Sequence, residues 1–202
     1  MFGDFEPKLS PASQQAEVVF LANIQPDLQR RVRRQCTGAR LVALDSMNLW
    51  IETARDSLVE TISEVDCVLM NDAELRMLTE RANLLQAARQ VMEWGPRVVV
   101  AKQGEYGAAL FSADHFFALP AFPLETVMDP TGAGDSFAGG FLGYLDSLGD
   151  REPPLAELRR AMVYGSTMAS FNVEDFGTER VRRLERDDID ARVAAFKNLT
   201  HF

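Results

Sequence analysis

Short runs of apolar residues, each followed by a longer stretch with helical periodicity, constrain this chain more than any other feature. Residues 17–23 (EVVFLAN), 40–45 (RLVALD), 66–71 (DCVLMN) and 97–102 (RVVVAK) are apolar without alternating. A strand with one face in water alternates, whereas a continuous apolar run suits a parallel strand covered on both faces. The segments between them read as helices. Residues 26–35 start on Pro26, where a missing N–H costs little. Residues 56–65 place Leu58, Val59, Ile62 and Val65 at helical spacing. Residues 73–79 and 84–94 follow, the latter stopped by Gly95-Pro96. Such alternation predicts an α/β fold with a doubly wound, mostly parallel sheet flanked by helices. Past residue 102 the texture changes. Residues 107–111 and 115–122 read as a hairpin around Ser112-Ala113-Asp114, and residues 136–148, 155–171 and 187–199 read as helices.

Composition narrows the function classes. The chain has 202 residues, 47% of them apolar and 25% charged, with a net charge of −9. That is globular composition, and the expectation is one domain spanning residues 1–202. A chain of this length buries roughly 70% of its unfolded surface and needs no disulfide staples. The acidic balance argues against a nucleic-acid partner, whose phosphates demand a basic surface. No apolar run approaches the ~20 residues of a membrane span. The opening MFGDFEPKLS has neither the basic nor the apolar region of a signal peptide. Cys36 and Cys67 form no CxxC pair and read as buried thiols of a reducing, cytoplasmic environment. His115 and His201 have no evident nucleophile or metal partner in the sequence.

The segment Asp129-Pro130-Thr131-Gly132-Ala133-Gly134-Asp135-Ser136-Phe137 carries the most chemistry. Small residues at 132–134 let the backbone turn tightly and point N–H groups into one space. An apolar helix follows at once, so its own unpaired N–H groups and positive dipole end face the same space. That combination binds anions, phosphate above all. Asp135 has two readings: the N-cap of the helix, or a general base beside a bound phosphate. Phosphoryl transfer to an alcohol needs such a base and positive potential on the moving group. No GxxxxGK[ST] loop occurs in the chain. Asn71-x-x-Glu74 has two readings as well, a capping arrangement or a metal-binding pair. Lys102 is a solvated charge or a phosphate ligand. The arginine groups at 30–34 and 180–186 read as solvated helix faces in a net-acidic chain.

The segment 129–137 resembles the C-terminal signature of the ribokinase-like PfkB carbohydrate kinases. Other matches follow in the same order along nearly the whole chain. Asn71-Asp72-Ala73-Glu74 is similar to the family's N-x-x-E motif, Lys102-Gln103-Gly104-Glu105-Tyr106-Gly107 to its K/T-x-G-x-x-G segment, and residues 169–177 to its late loop. The resemblance implies a ribokinase-like fold and transfer of the ATP γ-phosphate to a hydroxyl of a sugar or nucleoside. By the same resemblance Asp135 is the base, and Gly132, Ala133 and Gly134 form the anion hole. Asn71 and Glu74 hold Mg²⁺ and its waters, while Gly104 and Gly107 let the backbone approach the nucleotide. Lys102 reaches a phosphate. Asp129 and Thr131, with backbone carbonyls near Asn172, Asp175 and Gly177, supply the monovalent-cation (K⁺) site that some members carry.

Members of that family are longer than this chain. Residues 1–60 contain nothing similar to the family's first strands, its diglycine sugar-binding segment or its β lid, and residues 2–8 read as a mid-domain strand end and loop. The resemblance therefore implies a phosphate-handling part with the substrate-choosing part outside the sequence. An open sheet edge near residues 18–23 or 41–45 is a second expectation, and a partner chain, a homodimer included, would cover it. The alternative reading is an inactive nucleotide- or phosphate-binding module that acts with such a partner.

Overall fold

The computed structural model describes residues 5–150 and 152–200, so the readings on residues 2–4 and on His201 fall outside it. The chain divides into two compact units. One holds the residues up to Lys102 together with Leu110–Phe116; the other holds Gln103–Ala109 and the residues from Phe117 onward.

The first unit is built on the expected strands. β1 (Val18–Leu21), β2 (Leu41–Leu44), β3 (Cys67–Asn71) and β4 (Val98–Lys102) run parallel, each paired with the next. The sheet continues in chain order with β5 (Ala108–Ser112) and β6 (His115–Leu119). Only Ala113 and Asp114 join β5 to β6, too short a link for a parallel crossover, so that pair is an antiparallel hairpin. The sheet is thus mixed and mostly parallel.

Its centre explains why those runs do not alternate. Ala43, Leu44, Val68, Leu69, Met70, Val99, Val100 and Ala101 are fully buried, on both faces of neighbouring strands. The flanking helices α2 (Pro26–Gln35), α4 (Arg55–Ile62), α5 (Asp72–Thr79) and α6 (Leu84–Glu93) bury Leu28, Leu58, Ile62, Leu75, Leu78 and Val91. Each such side chain is worth about 1.5–3 kcal/mol removed from water. Two short helices escaped the sequence reading, α1 (Pro11–Gln14) and α3 (Asn48–Thr53). Of the α2 arginines, Arg31 and Arg34 are exposed, as a solvated face should be, while Arg30 and Arg33 are partly buried. Arg30 pairs with Asp27 and Glu60, Arg34 with Glu64, and Arg33 Nε donates to the Glu64 carbonyl at 2.8 Å. They tie α2 to the end of α4.

The second unit packs α7 (Ala133–Leu148) on α8 (Leu155–Asn172) at close range. A Cβ on Gly140 would stand 2.6 Å from the Tyr164 carbonyl oxygen, so the helix backbones nearly touch there. Phe137 and Phe141 are buried, as core residues of the apolar stripe should be. α9 (Arg186–Thr200) buries Phe196, whose ring meets Phe122 edge-on at 5.3 Å. Arg192 of α9 lies over the Phe171 ring, 3.6 Å from its centre, and pairs with Glu174 at 2.6 Å. Among the described residues no helix is long and apolar enough to cross a membrane.

Candidate active site

In the second unit the segment 129–136 is pinned from both ends. Asp129 accepts the Thr131 N–H on Oδ1 (2.9 Å) and the Gly177 N–H on Oδ2 (3.0 Å). These N–H bonds hold its carboxyl below the usual aspartate range. The Met128 N–H donates to the Val173 carbonyl at 2.8 Å. Asn172 donates its amide to the Thr131 carbonyl at 2.8 Å and accepts the Ser136 hydroxyl at 2.8 Å on the other end. The glycine loop is therefore clamped onto the end of α8 and the loop after it.

Gly132 is the N-cap of α7, with φ +80°, where a side chain is disfavoured. Ala133, Gly134 and Asp135 then occupy the first three helical positions, and the Ser136 N–H closes the first ladder bond to the Gly132 carbonyl at 2.8 Å. Ala133 already donates to the Pro130 carbonyl at 3.2 Å. Of the first turn, this leaves the Gly134 and Asp135 N–H groups, orphan donors by helix geometry. Asp135 is exposed at the third helical position and makes no capping bond, so the N-cap reading is corrected: Gly132 fills that place.

Gly104 and Gly107 differ from one another. Both have positive φ, +58° and +103°. A Cβ on Gly104 would meet nothing within 4 Å, so open space lies beside it. A Cβ on Gly107 would stand 2.0 Å from the Leu119 carbonyl oxygen, so the fold itself demands glycine there.

In the first unit the polar groups gather at the carboxyl ends of the parallel strands, where open α/β sheets bind ligands. Asn71 caps α5 by accepting the Glu74 N–H at 2.7 Å, and Glu74 accepts the Asn71 N–H at 3.0 Å. The capping arrangement is thus real. Burial pushes the Glu74 carboxyl up, against the pull of the Asn71 N–H. Lys102 is not a solvated charge: its ammonium donates to Asp45 Oδ2 at 2.6 Å, with the two side chains 16% and 9% exposed. Among the described residues no three His, Cys, Asp or Glu side chains cluster as a metal cage. Mg²⁺ bound through a nucleotide needs only one or two carboxylates and keeps its waters, so Glu74 and the Asn71 amide suffice for that mode.

Two residues of these arrangements escaped sequence reasoning as side chains, Asn172 and Asp45. Their partners lie 41 and 57 positions away, and no local motif announces them.

Comparison with known proteins decides the family. The model of the pfkB family carbohydrate kinases matches residues 10–183. The chain belongs to this family. The cytidine kinase of Thermococcus kodakarensis is 36% identical over 151 residues, 72% of this chain and 52% of that protein. The nucleoside kinase of Methanocaldococcus jannaschii is 28% identical over 194 residues, 90% of this chain and 60% of that protein. Among solved structures, the fructokinase of Vibrio cholerae O395 with fructose, ADP and calcium superposes with a TM-score of 0.76 at 19% identity, covering 93% of this chain and 62% of that one. That likeness fixes the ribokinase-like fold. This pfkB chain spans about half to three-fifths of the length of the curated relatives it matches.

Proposed function

We propose that the chain carries the phosphoryl-transfer part of an ATP-dependent kinase acting on a hydroxyl of a nucleoside. The observation that supports it most is the clamped Asp129–Ser136 segment, which sets orphan N–H donors and an exposed carboxylate side by side at the start of α7. Asp135 takes the proton of the acceptor hydroxyl. The freed oxygen forms a bond to the γ-phosphorus as the bond to the ADP oxygen breaks, and the bonding pair leaves with ADP. The N–H groups of Gly134 and Asp135, with Gly132 keeping the turn open, stabilise negative charge on the moving group. Ala133 contributes through its place in that turn, since its own N–H is engaged. Gly104 gives the nucleotide room to approach the backbone, and Lys102 supplies a positive charge for a phosphate. Glu74 and Asn71 hold Mg²⁺, which neutralises phosphate charge when bound. The lone pairs that Asp129 and the Thr131 carbonyl retain offer a place for K⁺. Nucleosides are preferred to simple sugars because two sequence relatives are a cytidine kinase and a nucleoside kinase.

A second reading, a phosphate-binding module that works with a partner chain, draws on the share of its relatives that the chain spans. Phosphate transfer from ATP to a panel of nucleosides and sugars, measured with this 202-residue chain, separates the two. Turnover with a nucleoside supports the kinase. Tight ATP binding without turnover on any acceptor supports the module.

A further inference from the structure

The Asp45–Lys102 pair is a nearly buried ion pair at the carboxyl end of the sheet, and it bridges from the end of β2 to β4 across β3. Such a pair is costly to assemble, because both charges leave water. Nothing in packing alone calls for it, since an apolar pair of similar size would fill that place as well. Its setting points to a ligand. Asp45 is fixed in turn: its Oδ1 accepts the Ser46 N–H at 2.8 Å and its carbonyl accepts Gln29 Nε2 at 2.9 Å. The Ser46 hydroxyl and Gln29 Oε1 are both buried and have no hydrogen-bond partner among the described residues. Glu74 is close enough for both charges to act on its carboxyl.

We infer that Asp45 is a positioning residue: it holds the Lys102 ammonium at the sheet's carboxyl end so that its other N–H donors serve a polyphosphate. The inference rests on the kinase reading above. A lysine is a flexible point charge with three rotatable donors. Asp45 takes one of them and fixes the direction of the stem, at a site where a free lysine would otherwise swing to water.

The test measures the affinity of the chain for inorganic tripolyphosphate, ATP and adenosine. The variants are Asp45→Asn, Asp45→Glu, Lys102→Met and the Asp45→Asn/Lys102→Met double variant. Asp45→Asn is expected to weaken tripolyphosphate and ATP about tenfold or more, the worth of a charged hydrogen bond, and to leave adenosine unchanged. Asp45→Glu restores much of the loss. Adding Asp45→Asn to Lys102→Met produces no further loss, because the carboxylate acts only through the lysine. The inference is overturned if Asp45→Asn binds tripolyphosphate as the parent does, if adenosine weakens equally, or if the two losses multiply. Should Asp45→Asn alone not fold, the comparison of Lys102→Met with the double variant decides on the same terms. A parent chain that binds neither ATP nor tripolyphosphate sinks the kinase reading and this inference together; parent binding with an indifferent Asp45 sinks the inference alone.

Discussion

Asn172, at the last position of α8, donates its amide to the Thr131 carbonyl at 2.8 Å and so fixes the turn that opens α7 from 41 positions away. The same side chain accepts the Ser136 hydroxyl, and it is only 1% exposed. Replacing it leaves a carbonyl and a hydroxyl without partners. Asn172→Ala is therefore expected to cost about 2–3 kcal/mol, read as a shift in the urea midpoint at constant slope. A cost under about 0.5 kcal/mol, the level of an ordinary surface change, would show that the clamp does not hold the loop.

Asp135 sits where a carboxylate does little for the fold. It is exposed, caps nothing, and gains only the modest favour of an acid near a helix start. Asp135→Asn should leave the thermal midpoint nearly unchanged and ATP affinity intact. Turnover on the best acceptor should fall about 10²- to 10⁴-fold, the usual worth of a general base. Equal turnover in the variant would remove the base assignment while leaving the anion-binding turn untouched.

The same contrast explains what the sequence showed. The central strands were legible because burial on both faces writes itself as an unbroken apolar run, as in Cys67–Asn71 and Val98–Lys102. α2 was legible to the residue because Pro26 marks its start. α3 was not: six residues behind Met47, with no side-chain cap, leave no periodic trace. The glycine turn and Asp135 are contiguous and could be read directly. Asn172 and Asp45 act through partners far along the chain, and only folding brings those together. The ion pairs of Arg30 and Arg34 were hidden for the same reason, since Glu60 lies on α4 and Glu64 just beyond its end.

The two glycines of the 104–107 turn should respond differently to alanine. At Gly104 the added methyl meets open space, so the cost is that of a left-handed residue, about 1–2 kcal/mol. At Gly107 the methyl would stand 2.0 Å from the Leu119 carbonyl oxygen and 2.6 Å from the Pro120 carbonyl carbon, backbone atoms that cannot swing aside. Strain and overpacking there add up to about 3 kcal/mol or more. Chemical denaturation of both variants checks the order; Gly107→Ala as mild as Gly104→Ala would contradict the described path of residues 119–120.

Acid should separate the two perturbed carboxyls, which move in opposite directions. Asp129 is held below its ordinary value of 3.8 by the Thr131 and Gly177 N–H groups. Its carboxylate therefore stabilises the fold above that value, and the contribution disappears as pH falls through the lower folded pKa. Glu74 is raised above its ordinary 4.5, chiefly by burial. Its protonated form favours the folded state, so that contribution is full below 4.5 and is lost as pH rises through the folded pKa. Thermal midpoints of the parent, Asp129→Asn and Glu74→Gln across pH read both effects. The Asp129→Asn deficit should be largest near neutrality and shrink as pH falls below 3.8 and the parent carboxyl takes up its proton. Glu74→Gln keeps the capping geometry, because glutamine also serves at that position, yet removes the titration. It should gain on the parent as pH rises above 4.5 and through the raised folded pKa. A Glu74→Gln profile that falls away from the parent over that range would mean that the Asn71 N–H and Lys102, not burial, govern this carboxyl.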